Sequence, residues 1–223
     1  MASPTSECTA RELLNKTPDT TQNCDLLWAA LTADSGSAVV IYDSQGRITC
    51  ANQAASKLLQ NGSTTDLTSK ALHDIMPAAI AEERLSYAHK VLDSGEPMII
   101  DGMIAGRLTR TTLRPVRGES PNEHRVLETI RPIAVEEPRP ETGNYVRAKT
   151  DDEGVIGKLT AREREVLFHI GRGLSTADIA ETLGRSTKTV EWHRVSLGNK
   201  LAITNRVELA RIAFRAGVTG IED

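Results

Sequence analysis

Residues 159–201 read LTAREREVLFHIGRGLSTADIAETLGRSTKTVEWHRVSLGNKL, and this run decides the architecture of the last quarter of the chain. Thr160-Ala161-Arg162-Glu163 has the form of a capping box, in which the Thr160 hydroxyl accepts from the amide three residues on and Glu163 accepts from the Thr160 amide. A helix is expected to start there, with Val166, Leu167 and Ile170 on one apolar stripe and Gly171 and Gly173 where a left-handed residue ends it. Ser175 with Asp178 repeats the start signal for a second helix, whose inner face is Ile179, Ala180 and Leu183. After the tight turn Gly184-Arg185-Ser186, Ser186 or Thr187 opens a third helix running to about Leu201, with Val190, Leu197 and Leu201 on one side at the 3.6-residue period. Asn205 with Glu208 starts a fourth, apolar at Leu209, Ile212 and Ala213. Capped helices joined by so short a turn predict an all-α helix-turn-helix unit.

With Val190 inward, the third helix turns Lys188, Glu191, Trp192, Val195, Ser196 and Asn199 outward. Such a face can enter a major groove, reading base edges along the helix while cations at its borders hold phosphates. Trp192 faces outward only in this register; a slip of one residue makes it a core side chain. His193 is open between a packed structural role and a phosphate contact. A generic Lys or Arg on a helix is most often merely solvated.

The segments Leu159–Leu167, Ser186–Arg194 and Lys200-Leu201 resemble the LuxR/FixJ-type (GerE-like) four-helix DNA-binding domain. The resemblance covers about a quarter of the chain. It implies a homodimer on inverted half-sites of double-stranded promoter DNA, with the fourth helix as dimer contact. By the same resemblance Glu191, Trp192 and Val195 reach bases, and Lys188, Thr189, His193 and Arg194 contact phosphates; Asn199, on the same outer face, completes the expected DNA-binding set. Trp192 stands where the family often has an aliphatic residue, which leaves the base preference open.

A length of 223 residues suits two small domains. The net charge of −3 alone argues against nucleic acid, but it is unevenly spread. Residues 154–223 hold 11 Lys and Arg against 8 Asp and Glu, whereas residues 1–153 hold 16 against 22, so the positive part coincides with the helical unit. Cys8, Cys24 and Cys50 form neither a disulfide framework nor a zinc pattern, and a reducing cytoplasm is expected. The first thirty residues lack a basic segment followed by an apolar core, and no run approaches the ~18 apolar residues of a membrane span, so no membrane association is expected. Only 3% of residues are aromatic, which disfavours a binder that stacks single-stranded bases.

Residues 1–24, rich in Ser, Thr and Pro, are expected to be a mobile arm, and Asp25 to Leu31, with Trp28, a short helix. Ala38–Tyr42 and Arg47–Cys50 read as strands around the turn Asp43–Gly46. Asn52 caps a helix carrying Ala54, Ala55, Leu58 and Leu59, and Leu72 to Met76 is a short turn stopped by Pro77. A longer helix from Ala78 to Leu92 is expected to bury Ala81, Leu85, Ala88 and Leu92 and to end at Ser94-Gly95-Glu96-Pro97. Three strands follow at 98–104, 107–116 and 124–133.

This order resembles a PAS domain, carried by Tyr42–Ala55, Leu92–Pro97 and Leu113–Val116 and covering about half the chain. The resemblance implies a five-stranded antiparallel sheet with helices around a small cavity, used for a ligand, a cofactor or contact with another PAS domain. The whole is then α+β: an arm at 1–24, a PAS-like sensor or dimerisation domain at 25–133, a charged, Pro-containing linker at 134–155 and the four-helix unit at 156–223.

PAS flavin photosensors place a cysteine in the short helix matching Leu72–Met76, and none lies there; oxygen-sensing haem proteins place a histidine at the position matching Arg84. His89 shares that helix at the wrong position. No cofactor and no metal is therefore expected, and the PAS ligand is unassigned. Cys50 is read most simply as a small buried hydrophobe, with a redox-sensing thiol as the other reading. No Gly-x-Ser-x-Gly elbow, phosphate loop or His-Glu-x-x-His run is present, and the first domain lacks the β-α alternation of a phosphoacceptor receiver. The expectation is a non-enzymatic cytoplasmic transcription regulator in which a signal or partner at the PAS domain alters promoter binding by a dimer, with RNA polymerase as a further partner. The alternative is a scaffold that binds a kinase or polymerase-associated protein through the PAS domain and dimerises through its helices.

Overall fold

A computed structural model describes residues 28, 30–32, 36–60, 62–118, 120–134, 137–141 and 143–217. The expected arm at 1–24 lies outside them. Residues 28 and 30–32 are helical, with the Thr32 hydroxyl donating to the Trp28 carbonyl at 2.8 Å.

The β-branched run forms β1 (Ala38–Asp43), paired antiparallel with β2 (Ile48–Ala51). Between them Asp43 accepts the Gln45 and Arg47 amides, each at 2.9 Å, and so holds the turn. Asn52 caps α1 (Gln53–Leu59) by accepting the Ala55 amide, and its side-chain oxygen also accepts the Val39 amide at 3.0 Å, tying that helix to β1. The short α2 (Leu72–Ile75) leads into α3 (Ala78–Ser94), which Gly95 ends in the left-handed region at φ 76°. The strands β3 (Met98–Ile104), β4 (Arg107–Val116) and β5 (Arg125–Pro132) then complete an antiparallel run. Alternate residues Val40, Tyr42, Ile100, Leu113, Val126 and Ile130 point into one core with Ala88 and Val91 of α3.

Three expectations change here. The sheet has six strands in the order β2-β1-β5-β4-β3-β6, because β6 (Asn144–Arg147), within the stretch read as linker, pairs parallel with the edge of β3. Its Tyr145 and Val146 are two apolar residues in a charged context, too short a signal to read as a strand. The α3 stripe is rotated from Leu85 and Leu92, which are only half-buried, toward Ile80, Arg84, Tyr87 and Val91. Arg84, which the expected stripe leaves out, is buried, and its guanidinium pairs with Glu128 on β5, so a buried charge meets its opposite. Finally, Cys50 is exposed on the edge strand β2 rather than buried.

After a 3-10 turn at Gly154–Lys158 come α4 (Ala161–Gly171), α5 (Thr176–Thr182), α6 (Thr187–Leu201) and α7 (Arg206–Arg215). Thr160, Ser175, Ser186 and Asn205 each accept a first-turn amide, as their sequence positions predict. Each such cap is worth about 1 kcal/mol. Val166, Leu167, Ile170, Ile179, Val190, Leu197 and Leu209 form a second core, against which Met103 of β3 also packs.

Candidate nucleic-acid interface

The third helix of the unit, α6, owes its orientation to both faces. Val190, Leu197 and Leu201 are buried, so the opposite side is committed to solvent. Trp192 is 65% exposed and Val195 55% exposed, which answers the question of register: neither is a core residue. Lys188, Glu191 and Asn199 lie exposed on the same side. An apolar pair ringed by a cation, a carboxylate and an amide offers contacts to thymine methyls, phosphates and base edges together.

Ser196 does not belong to that face. Its hydroxyl donates to Glu163 Oε1 at 2.8 Å, and Lys200 donates to Glu163 Oε2 at 2.7 Å. Glu163 thus closes the capping box of α4 and holds α6 from beneath. Burial alone would raise its pKa, but Lys200, the Thr160 amide and Ser196 override this and bring it to about 2. The sequence shows the local half of this role, the capping box; the link to residues more than thirty positions away has no local signal.

The remaining expected contacts are partly engaged within the protein. Thr189 shares a hydrogen bond with Ser186 across 2.8 Å, and its amide donates to the same hydroxyl, so it serves the cap. Arg194 donates to Thr176 Oγ1 at the start of α5 and to Glu191 Oε2, both at 2.9 Å, bracing α6 against the preceding helix. His193 is half-buried, meets the Trp192 ring edge-on at 5.0 Å and has its Nδ1 buried without a hydrogen-bond partner. It lines a groove of about 240 Å³ between α4 and α6, with Thr189, Arg162 and Arg185 also on its wall. Arg162, which also donates to Glu165 at 2.6 Å, and Arg185 bring to this groove two cations that are not among the residues expected from sequence. Arg206, at the start of α7, donates to the carbonyls of Gly173 and Leu174 and thereby fixes the α4–α5 turn.

In the first domain, the position matching a haem ligand holds Arg84, whose guanidinium reaches Glu128 and, at 3.4 Å, Thr111. The fully buried Tyr42 has its pKa raised well above 10, by burial first and by the Glu128 charge next. A cavity of about 10 Å³ lies beside Arg84, between Ile80, Met76 and Ile104. His89 is spent on the Ser44 carbonyl at 2.8 Å. Among the described residues no helix is long and apolar enough to cross a membrane.

Comparison with known proteins finds two matching regions. Residues 157–213 match the luxR family of bacterial regulatory proteins, and residues 32–137 match the PAS fold. The transcriptional regulatory protein UhpA of Escherichia coli is 48% identical over 56 residues, which are 25% of this chain and 29% of UhpA. FixJ of Azorhizobium caulinodans is 36% identical over 83 residues, 37% of this chain and 39% of FixJ. The chain thus aligns with well under half the length of these relatives. Among solved structures, Vibrio cholerae VqmA in a complex with ligand and DNA is 21% identical, with a TM-score of 0.44 over 88% of this chain and 90% of that one.

Proposed function

We propose, for a chain that joins a PAS fold to a luxR-family regulatory unit, that it is a transcription regulator which binds promoter DNA as a dimer and whose PAS domain receives the signal. The observation that carries this reading is the exposed face of α6, where Lys188, Trp192, Val195 and Asn199 stand clear of the second core.

The chemistry follows from those side chains. Lys188, in the first turn of α6, meets a backbone phosphate, and the Arg162 and Arg185 groove continues that contact along the strand. Trp192 and Val195 lie against thymine methyls on the groove floor, and Asn199 reaches a base edge. Glu191, held by Arg194, is poised to accept from a cytosine amino group. Arg194 acts mainly as a brace between α5 and α6 rather than as a free phosphate contact. On α7, Val207 and Phe214 are 65% and 47% exposed, an apolar surface that suits the pairing of two units.

Selection of duplexes from a random pool, followed by fluorescence anisotropy at several salt concentrations, tests the reading. Wild type should prefer the selected duplex and lose affinity steeply with salt. Lys188→Ala should weaken binding to every duplex and flatten the log–log salt slope by about 0.9. Trp192→Ala should instead change which duplexes are selected, at about 1–3 kcal/mol per altered base pair. Binding that is absent, or equal for selected and random DNA, sinks the proposal and favours the scaffold.

A further inference from the structure

Between β6 and the helical unit, the chain at 148–154 runs across the end of the β3–β4 hairpin, and its polar groups are taken up on both sides. The Ala148 amide donates to the Asp101 carbonyl at 2.8 Å. Asp151 accepts the Met103 amide at 2.8 Å and is itself gripped by Arg147 at 2.8 and 2.6 Å. Asp152 accepts the Ala105 amide at 2.9 Å through its side chain, while its own amide donates to Met103 and its carbonyl accepts from Gly106. From the helical side, Glu83 of α3 accepts the Lys149 and Thr150 amides at 2.7 and 2.8 Å and the Tyr87 hydroxyl at 2.6 Å. Immediately beyond, Glu153 pairs with Arg164 of α4 through contacts of 2.7 and 2.5 Å.

The contact with the hairpin is backbone against backbone. A Cβ on Gly106 would stand 3.0 Å from the Glu153 carbonyl oxygen, and one on Gly154 would stand 2.8 Å from the Ala105 carbonyl carbon. Ala105 itself lies at φ 49°, a left-handed conformation that is strained for a residue with a side chain. Asp152, which holds that strained amide, is also a wall of the 10 Å³ cavity next to Ile104 and Arg84. Space of that size holds about one water.

We propose that residues 148–154 form a latch: they close the PAS cavity with Asp152 and, by the same bonds, fix the DNA-binding unit to the β3–β4 hairpin. An occupant larger than a water that enters on this side displaces Asp152 from Ala105 and so loosens the hairpin's hold on the segment that leads into α4. The exposed face of α6 is uncovered in the latched state, so the latch does not block the reading surface. It sets the direction in which that surface points. A fixed direction preorganises a dimer for two half-sites, and release adds an orientational cost to the second contact. This inference rests on the reading of α4–α7 as a DNA-binding unit.

The test compares full-length wild type with Asp152→Ala and Glu83→Gln. Amide hydrogen exchange is followed at 103–106 and 147–157, with β1 and β5 as the reference for an intact sheet. Affinities are measured for the selected duplex and for the same duplex with one half-site scrambled. Exchange in the two segments should rise about tenfold in each variant, with the reference strands unchanged. The preference for two half-sites over one should fall about tenfold, with affinity for the single half-site unchanged. Faster exchange with an unchanged preference overturns the latch, because the junction then transmits nothing. Unchanged exchange in both variants overturns it as well. If Asp152→Ala loosens the reference strands too, Glu83→Gln decides, since Glu83 lies on α3 outside the sheet. Failure of wild type to prefer the selected duplex would reject the DNA-binding reading instead, and the exchange result stands apart from it.

Discussion

Glu163 shows how one side chain can serve two levels of structure. Its folded-state pKa of about 2 lies below the ordinary 4.5, so its contribution is complete above pH 4.5 and is lost as pH falls toward 2. At 1.36 kcal/mol per unit, that contribution is about 3 kcal/mol. Glu163→Gln should therefore destabilise the helical unit by about that amount at pH 7 and by little at pH 2, as read by urea unfolding at the two values. Arg84 makes the complementary case in the first domain. Arg84→Met leaves Glu128 buried without its cation and should cost about 3–5 kcal/mol, whereas Arg84→Met with Glu128→Leu should recover most of the loss. A double variant no more stable than the single one would mean that the pair contributes more than mutual neutralisation.

At the scale of the element, α6 is positioned by its ends as much as by its stripe. Ser186 caps the start, and at the other end the Ile203 amide donates to the Gly198 carbonyl while Ala202 takes a left-handed φ of 55°. A Cβ at Gly198 would come 2.6 Å from the Ile203 carbonyl oxygen, and that backbone cannot yield cheaply. Gly198→Ala should cost about 1–3 kcal/mol by thermal melting and weaken DNA binding, although residue 198 touches no base in the proposed interface. Unaltered melting would show that the turn after α6 adapts. The capping residues of α4 to α7 were legible because capping is local chemistry. The rotation of the α3 stripe was not, because a rule that keeps charge outside cannot anticipate a partner on β5.

For the whole molecule, the proposed dimer has a geometric consequence. Two reading faces related by a twofold axis meet half-sites about 34 Å apart, one helical turn. Inserting about half a turn, roughly 5 base pairs, between selected half-sites puts the second on the wrong face of the duplex and should reduce affinity to that of a single half-site. Inserting a full turn should restore part of it. Equal binding at every spacing would indicate that the units act singly and would place the role of the exposed α7 surface elsewhere.

The sequence alone determined the elements whose causes lie within a few residues: the capped helices of the helix-turn-helix unit, the outward face of α6, the β1–β2 turn and the end of α3 at Gly95. Those features need only a hydroxyl three residues from an amide, an apolar period or a glycine at positive φ. Tertiary structure decided what depends on distant partners. It added β6 to the sheet through an edge that β3 left open, buried Arg84 because Glu128 awaited it, turned Ser196 from the groove to Glu163, and bound Asp151 and Asp152 to a hairpin nearly fifty residues earlier. Each of these is a polar group satisfied across a long sequence separation, and a burial pattern read along one chain carries no record of such a partner.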